Sequence, residues 1–191
     1  MLLSIDDKKA LLQLARSSIE CAVSQKPLPT VATLKQNLHK PCGAFVTVRV
    51  SGELRGCYGY VNAYYPLAQS VQEVAVRAAL EDPRFEHITP EELDALEVEV
   101  SVLAPPEKVE RVGEIEVGVH GLILETRLHR GLLLPSVATE YGWDREQFLN
   151  HTALKAGLPP DAWKKKNVTI LKFTAEKFSE SDFVHPEEYD R

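Results

Sequence analysis

Cysteine is scarce in this chain, and the cysteines present form neither a metal-binding nor a disulfide pattern. Cys21, Cys42 and Cys57 are odd in number, and no two of them have CxxC spacing. In a hairpin register that places Cys57 opposite Thr47, Cys42 lies about 16 Å away along the strand, which is too far for a disulfide. We therefore expect reduced thiols and an intracellular, cytoplasmic protein.

Long hydrophobic runs and an excess of positive charge are also missing. No apolar run approaches the length of a membrane span, and Met1-Leu2-Leu3 lacks the basic and apolar regions of a secretory signal. The chain has 22 Lys and Arg residues and 28 Asp and Glu residues. Its net charge of −6 argues against non-specific binding to nucleic acid or to an anionic membrane. We therefore expect neither nucleic acid nor a membrane as a partner.

The common catalytic motifs are missing as well. The sequence contains no P-loop, GxGxxG, HExxH or GxSxG motif and no zinc-ligand cluster. This argues against the common nucleotide-binding, metalloprotease and α/β-hydrolase classes. No cofactor or metal site is indicated.

The most informative stretch that is present is a predicted β-hairpin. Two strand-like runs, the β-branched-rich residues 44–50 and the tyrosine-containing residues 54–60, flank a short turn that contains Gly52. The expected register pairs Val50 with Leu54, Val48 with Gly56, Val46 with Tyr58 and Ala44 with Tyr60 on a core face, and Arg49 with Arg55, Thr47 with Cys57 and Phe45 with Gly59 on the other. Gly56 and Gly59 are expected to leave the backbone uncovered, as happens where a ligand or another chain approaches closely.

The remaining patterns predict an α+β protein with mostly antiparallel sheet and flanking helices. Helices are predicted after Ser4, Pro66, Thr89 and Asp144 and over residues 135–141, and strands over Leu96–Leu103, Glu114–Val117, Gly121–Glu125, Gly131–Leu134 and Val168–Phe178. We expect two lobes around a cleft: a larger one of roughly residues 1–105 plus 166–180, and a smaller one of roughly residues 106–165. Residues 181–191 form a polar tail.

Cys57 is the candidate for reactivity. Arg55 and Arg49 would favour its thiolate, while the alternative is an inert thiol packed against a second layer. A nucleophile also needs a base, and His120 lies in one of the best-patterned segments, although the sequence does not place it beside Cys57.

The candidate binding residues each have a structural alternative. Arg55 suits a carboxylate or phosphate ligand, or an internal ion pair with Glu97 or Glu99 on a neighbouring strand. Asp82-Pro83-Arg84 either holds two charges near the same groove or ends a helix with solvated charges. Trp143 is either a ligand platform or a lobe-packing residue.

Eight stretches, taken in order, carry a resemblance to a known family. They are Gly43–Val50, residues 52–59, residues 79–85, Leu96–Leu103, and residues 120–122, 130–135, 140–144 and 155–160. Together they resemble the AMMECR domain family over nearly the whole chain, in the manner of the prokaryotic AmmeMemoRadiSam system protein A. The family's signature falls on Leu54–Gly59, with Tyr58 where an aliphatic residue is usual. Ala153 stands where many prokaryotic members carry a second cysteine, so Cys57 would act alone.

The resemblance implies two α+β lobes with a cleft lined by the signature hairpin, and no particular activity. It also implies Memo-like and radical-SAM proteins as partners, by association alone.

Two functions fit these observations. The first is an enzyme or enzyme component that binds a small anionic ligand, with Cys57, Glu97, Glu99 and His120 as catalytic candidates and Arg55, Gly56, Thr47, Arg84 and Trp143 as binding candidates. The second is a non-catalytic adaptor module that uses the same groove for a partner protein.

Overall fold

The computed structural model describes residues 3–183 of the 191-residue chain. Its helices and strands follow in the order α1 (Ile5–Val23), β1 (Gly43–Val50), β2 (Glu53–Tyr60), α2 (Leu67–Leu80), β3 (Leu96–Leu103), β4 (Glu107–Lys108), β5 (His120–Glu125), β6 (Arg130–Leu133), α3 (Pro135–Glu140), α4 (Arg145–Lys155) and β7 (Thr169–Ser179). Short 3₁₀ helices lie at Gln36–His39, Pro90–Ala95, Val112–Glu114, Pro160–Lys164 and Glu180–Phe183. The predicted α+β class is confirmed.

The chain divides into two compact units. Within the described range, residues 3–103 and 176–183 form the first unit, and Ala104–Ala175 form the second. The predicted lobe bounds and the cleft stay predictions, and residues 184–191 of the predicted tail lie outside the described residues. No helix within residues 3–183 is both long and apolar enough to span a bilayer.

The first unit is a sheet covered by two helices. Strand β1 lies between β2 and β3 with antiparallel pairing on both sides, and residues 176–179 of β7 follow β3 in the order. Alternate residues of β1 from Ala44 to Val48 are fully buried, namely Ala44, Val46 and Val48, and these pack in one cluster with apolar residues of α1 and α2. The other face of this sheet carries Phe45, Thr47 and Arg49 of β1, which are partly buried.

Helix α1 begins where the sequence predicts. The Asp7 amide donates to the Ser4 hydroxyl and the Ser4 amide donates to the Asp7 carboxylate, which is a capping box that satisfies two amides at the helix start. Leu11 and Ile19 of its apolar stripe are fully buried. The buried stripe holds the helix against the sheet, because most helical stability in proteins comes from packing of an amphipathic face.

The hairpin turn differs from the predicted one. Strand pairing follows the expected register from Ala44 to Val48, and then a bulge shifts it so that Arg49 lies opposite Leu54. The loop is Ser51-Gly52, with φ of 52° and 84°, as a two-residue turn with two positive φ angles requires. The expected cross-strand pairs of Arg49 with Arg55 and of Val50 with Leu54 are therefore wrong, because Arg55 is the extra residue of the bulge.

The second unit is a smaller antiparallel sheet with its own core. Strand β5 pairs with β6 and β7, and β4 pairs with β7. Its cluster includes the fully buried Leu122, Leu124, Phe148 and Leu149. Asp144 and Gln147 form the capping box at the start of α4, as the cap prediction requires.

The predicted strand at Glu114–Val117 is wrong. Residues Val112–Glu114 form a 3₁₀ turn, and the fully buried Ile115 anchors the segment in the core. The Ile115 carbonyl accepts a 2.7 Å hydrogen bond from the Arg145 guanidinium. Arg145, the first residue of α4, thus gives the Ile115 carbonyl the hydrogen bond that a neighbouring strand would otherwise give.

Candidate functional site

Three side chains form a row across the outer face of the first sheet. Cys57 lies opposite Thr47, as predicted, and Thr47 lies opposite Glu99. The Thr47 hydroxyl donates a 3.4 Å hydrogen bond to the Cys57 sulfur. Cys57 is half-buried, so part of its side chain stays accessible to solvent while the sulfur accepts the hydrogen bond from Thr47.

Asp82 fixes the backbone of Cys57. Helix α2 ends at Leu80, and the next residues bring the Asp82 carboxylate to the edge of β2, where it accepts the Cys57 amide at 2.9 Å. The same carboxylate accepts the Arg84 amide at 3.1 Å. The side chain of Asp82 is only 4% exposed, so the alternative of a solvated charge at a helix end is wrong for this residue.

Arg84 neutralises Asp82 and remains at the surface. Its Nε and Nη2 donate to the two carboxylate oxygens of Asp82 at 2.9 and 2.6 Å, while 57% of the side chain is exposed. The Arg84 guanidinium holds the pKa of the Asp82 carboxyl well below its usual range, against the opposing effect of burial. The pKa of Arg84 is raised mainly by its hydrogen bonds to Asp82. Because Asp82 also accepts the Cys57 amide, Arg84 places a permanent positive charge next to the backbone of Cys57.

The glycines next to Cys57 are covered by the protein itself. A Cβ on Gly56 would overlap the carbonyl oxygen of Ala78 in α2, and a Cβ on Gly59 would overlap the Phe45 ring. The expectation of an uncovered backbone at Gly56 and Gly59 is therefore wrong. Gly56 lets helix α2 approach the strand closely, which is what brings Asp82 within reach of Cys57.

Arg55 forms an internal ion pair, with a partner that the sequence did not indicate. Its Nε and Nη2 donate to the two carboxylate oxygens of Glu92 at 2.9 and 3.2 Å, and the two side chains are 21% and 24% exposed. Glu92 raises the pKa of Arg55, and Arg55 lowers the pKa of Glu92. The expected partners, Glu97 and Glu99, are wrong because the bulge directs Arg55 toward the 3₁₀ helix before β3.

The two glutamates of β3 have other neighbours. Glu97 lies opposite Arg49 in the strand register. Glu99 lies 2.8 Å from the ammonium of Lys177, between its Oε2 and the lysine Nζ. Glu99 shares a face with Thr47 and Cys57, but its charge is compensated by Lys177, so a catalytic role for either glutamate stays a prediction.

His120 and Trp143 belong to the second unit. The His120 Nδ1 accepts the Glu116 amide at 3.0 Å, which leaves Nε2 to carry the proton in the neutral ring. The Trp143 indole stacks with His151 at 3.8 Å between ring centroids and with Tyr141 at 4.9 Å. These contacts fit the packing alternative for Trp143, while the binding and catalytic roles of both residues stay predictions.

Sequence reasoning missed the contacts of Asp82, Glu92 and Lys177. The Asp82-Pro83-Arg84 sequence indicated two opposite charges in a turn, but it did not indicate that Asp82 accepts the Cys57 amide. Within residues 3–183, no three His, Cys, Asp or Glu side chains are grouped so that they could hold a metal ion. Cofactor, partner and compartment predictions stay predictions.

Comparison with known proteins gives a consistent result. The AMMECR1 family model matches residues 12–178. A protein of Methanothermobacter thermautotrophicus is 45% identical over 185 residues, which cover 93% of this chain and 96% of that protein. Protein TK0174 of Thermococcus kodakarensis is 44% identical over 182 residues, covering 89% and 88% of the two chains. The crystal structure of the uncharacterized protein PH0010 from Pyrococcus horikoshii is similar, with a TM-score of 0.82, 42% identity and coverage of 91% of each chain. The family predicted from the sequence is thus confirmed: the chain belongs to the AMMECR1 family.

Proposed function

We propose that this protein is an enzyme, or a component of one, that binds a small anionic ligand on the outer face of the β1–β2 hairpin and uses Cys57 as its nucleophile. One observation carries the proposal: the Asp82 carboxylate bonds both the Cys57 amide and the exposed Arg84 guanidinium. A thiol and a fixed cation are therefore held together by one buried group.

Arg84 supplies the charge that an anionic ligand requires. A guanidinium has five N–H donors, and Asp82 engages donors on Nε and Nη2, so donors remain for a carboxylate or phosphate. Arg55 is less suited to this task, since its Nη1 also donates to the Glu86 carbonyl and its side chain is only 21% exposed, against 57% for Arg84. Arg84 thus replaces Arg55 as the proposed ligand-binding arginine.

Two groups lie beside Cys57, whose thiolate form is the nucleophile of the proposed reaction. The Thr47 hydroxyl donates to the sulfur, and Asp82 holds the Arg84 guanidinium next to the Cys57 amide. The proton of the thiol then leaves to water before the ligand is attacked. This mechanism does not require a histidine partner.

The adaptor module is the competing function. In that case Arg84 would bind an acidic segment of a partner protein, and Cys57 would serve only to tie β2 to Asp82 through its amide. Both functions use the same surface, but only the enzyme needs a reactive thiol.

Two alkylating reagents that differ in charge test the proposal. Iodoacetate and iodoacetamide are close in size, and the labelling rate at Cys57 is measured for each by peptide mass spectrometry. The expected result is that the anionic reagent labels Cys57 faster and with saturation, because Arg84 binds its carboxylate. Replacement Arg84→Gln should remove that preference, whereas Arg127→Gln, at an exposed position of the second unit, should keep it.

A preference for the neutral reagent in the unaltered protein would overturn the proposal. So would an unchanged preference in Arg84→Gln. Very slow labelling of Cys57 in the folded protein, together with normal folding of Cys57→Ser, would favour the adaptor module.

A further inference from the structure

We infer that an open groove along helix α2 is the docking surface for a basic segment of a partner protein. Helix α2 packs on the face of the hairpin that carries Tyr58 and Tyr60, opposite to the face of Cys57, so this inference does not depend on the proposed reaction. The groove has a volume of about 440 Å³, and its lining includes Leu28, Gln69, Gln72, Glu73, Arg77 and Glu81.

The groove lies between α2 and a segment that precedes the first strand. The Gln72 side chain donates a 2.7 Å hydrogen bond to the Pro29 carbonyl, which holds residues 27–29 beside the helix. From Gln69 to Glu81 the helix rises about 18 Å, which matches about five residues of an extended chain. An open groove of this length suits a protein segment, whereas a small molecule is usually enclosed on most sides.

Tyrosine side chains adjoin the groove on the side of the hairpin. The Tyr60 hydroxyl donates a 2.6 Å hydrogen bond to Glu73. The Tyr60 ring contacts three further rings at 6.1 to 6.4 Å between centroids, namely those of Tyr58, Tyr64 and Tyr65. The cluster thus holds four of the six tyrosines of the chain. Tyrosine is enriched at protein interfaces, because it combines a large apolar ring with a polar hydroxyl.

Exposed apolar side chains are concentrated at the same place. Within residues 3–183, eight large hydrophobic side chains are exposed, and three of them are Leu28, Tyr64 and Tyr65. They flank the polar residues that α2 presents to the groove. Apolar surface beside polar groups is typical of a site where another protein binds.

The charges in the groove select a basic partner. Arg77 lies over the Tyr58 ring, with 4.1 Å between its Cζ and the ring centroid, and its Nε donates to Glu81 at 2.7 Å. The side chains of Glu73 and Glu81 are both more exposed than that of Arg77. A segment in the groove therefore meets two carboxylates and one guanidinium that is already engaged, which favours lysine or arginine on the partner.

The charge of the whole first unit has the same sign. Residues 3–103 and 176–183 hold 16 Asp and Glu residues and 11 Lys and Arg residues, whereas residues 104–175 hold 9 and 10. Within residues 3–183, the acidic excess thus lies in the unit that carries the groove. Such a field attracts a basic segment and disfavours an acidic one.

Random peptides displayed on phage test this inference. The immobilised full chain is offered a library of seven-residue peptides, and the bound phage are sequenced. We expect the selected peptides to be enriched in Lys and Arg over Asp and Glu. One selected peptide, labelled with fluorescein, then gives a dissociation constant by fluorescence anisotropy.

Two pairs of variants locate the binding site of this peptide. Replacement Tyr64→Ala should weaken binding at least about tenfold, since a few aromatic residues carry most of the affinity of an interface. Its control is Tyr141→Ala, because Tyr64 and Tyr141 are 66% and 69% exposed and lie in different units. Replacement Glu81→Gln should weaken binding about fivefold at low salt, whereas Glu53→Gln, at the exposed hairpin turn, should not.

Three results would overturn the inference. The first is selection of peptides that are acidic or without charge. The second is equal affinity of the selected peptide for the unaltered protein and for Tyr64→Ala. The third, measured by sedimentation of the protein alone, is a dimer that Tyr64→Ala dissociates, since the groove would then belong to a second copy of this chain.

Discussion

The amide of Cys57 donates a 2.9 Å hydrogen bond to the carboxylate of Asp82, which lies 25 residues later in the chain. The bond joins edge strand β2 to the segment that follows helix α2. Because Asp82 also bonds Arg84, the position of the Cys57 backbone and the position of the Arg84 guanidinium depend on one buried carboxylate.

Replacement Asp82→Asn should lower the free energy of unfolding by about 2 kcal/mol, because the buried carboxylate loses its charge-assisted hydrogen bonds from Arg84 and from the Cys57 amide. Urea denaturation measures the change, and Asp94→Asn, at an exposed position of the same unit, should change stability little. Equal effects of the two substitutions would contradict a special role for Asp82.

The same carboxylate should make stability fall in acid. Its pKa is lowered in the folded protein, so its contribution is complete above the unfolded value of about 4 and is lost as the pH falls toward the folded value. Between about pH 5 and pH 2, unfolding of the unaltered protein should lose more free energy than that of Asp82→Asn. Parallel pH profiles of the two proteins would contradict this expectation.

Replacement Thr47→Val should slow the alkylation of Cys57 by iodoacetamide at neutral pH about fivefold, since a hydrogen bond to the sulfur is worth about 1 kcal/mol. Valine has nearly the same shape, so the strand should persist. The control is Thr174→Val, at an exposed position of β7. An unchanged rate in Thr47→Val would show that the hydroxyl does not support the thiolate.

Replacement Arg55→Lys should cost about 1 kcal/mol of stability, because lysine keeps the charge but loses the two-pronged contact with Glu92. The iodoacetate preference at Cys57 should not change. A double-mutant cycle with Glu92→Gln measures the coupling of the pair. If Arg55→Lys is as stable as the unaltered protein but no longer reacts faster with iodoacetate than with iodoacetamide, Arg55 and not Arg84 is the arginine that binds the ligand.

Replacement Gly56→Ala should destabilise the protein by at least about 3 kcal/mol, because the new methyl group would overlap the Ala78 carbonyl and force α2 away from β2. Gly113→Ala is the matched control, since a Cβ there would meet no atom within 4 Å. Thermal or urea unfolding compares the two variants. Similar stability of both would contradict the close packing of α2 on the hairpin.

Local patterns predicted most elements well. The capping box at Ser4 and Asp7, the strand Leu96–Leu103 and the pairing of Cys57 with Thr47 all match the structure. Each depends on residues close in sequence or on the alternation of a strand. The prediction of a strand at Glu114–Val117 is wrong because Ile115, buried after a 3₁₀ turn, gives the same apolar–polar alternation as a strand.

The hairpin shows the limit of such reasoning within a few residues. Its register follows from alternation up to Val48 and is lost at the bulge, which alternation does not encode. The bulge moves Arg55 out of the row that contains Thr47 and Cys57. Of the two arginines that the sequence offered as ligand-binding candidates, we propose Arg84 for that role, since Arg55 pairs with Glu92.

The sequence by itself determined the α+β class, the helix caps and the face on which Cys57 and Thr47 lie, because these depend on short-range spacing. It indicated the family through the resemblance of eight stretches. Only the tertiary structure decided which charges meet: Asp82 with Arg84 at the Cys57 amide, Arg55 with Glu92, and Glu99 with Lys177. The chain holds 28 acidic and 22 basic side chains, so residue type does not select a partner. Selection comes from the packing of α2 against Gly56 and from the bulge in β2, which set the distances between groups that are far apart in sequence.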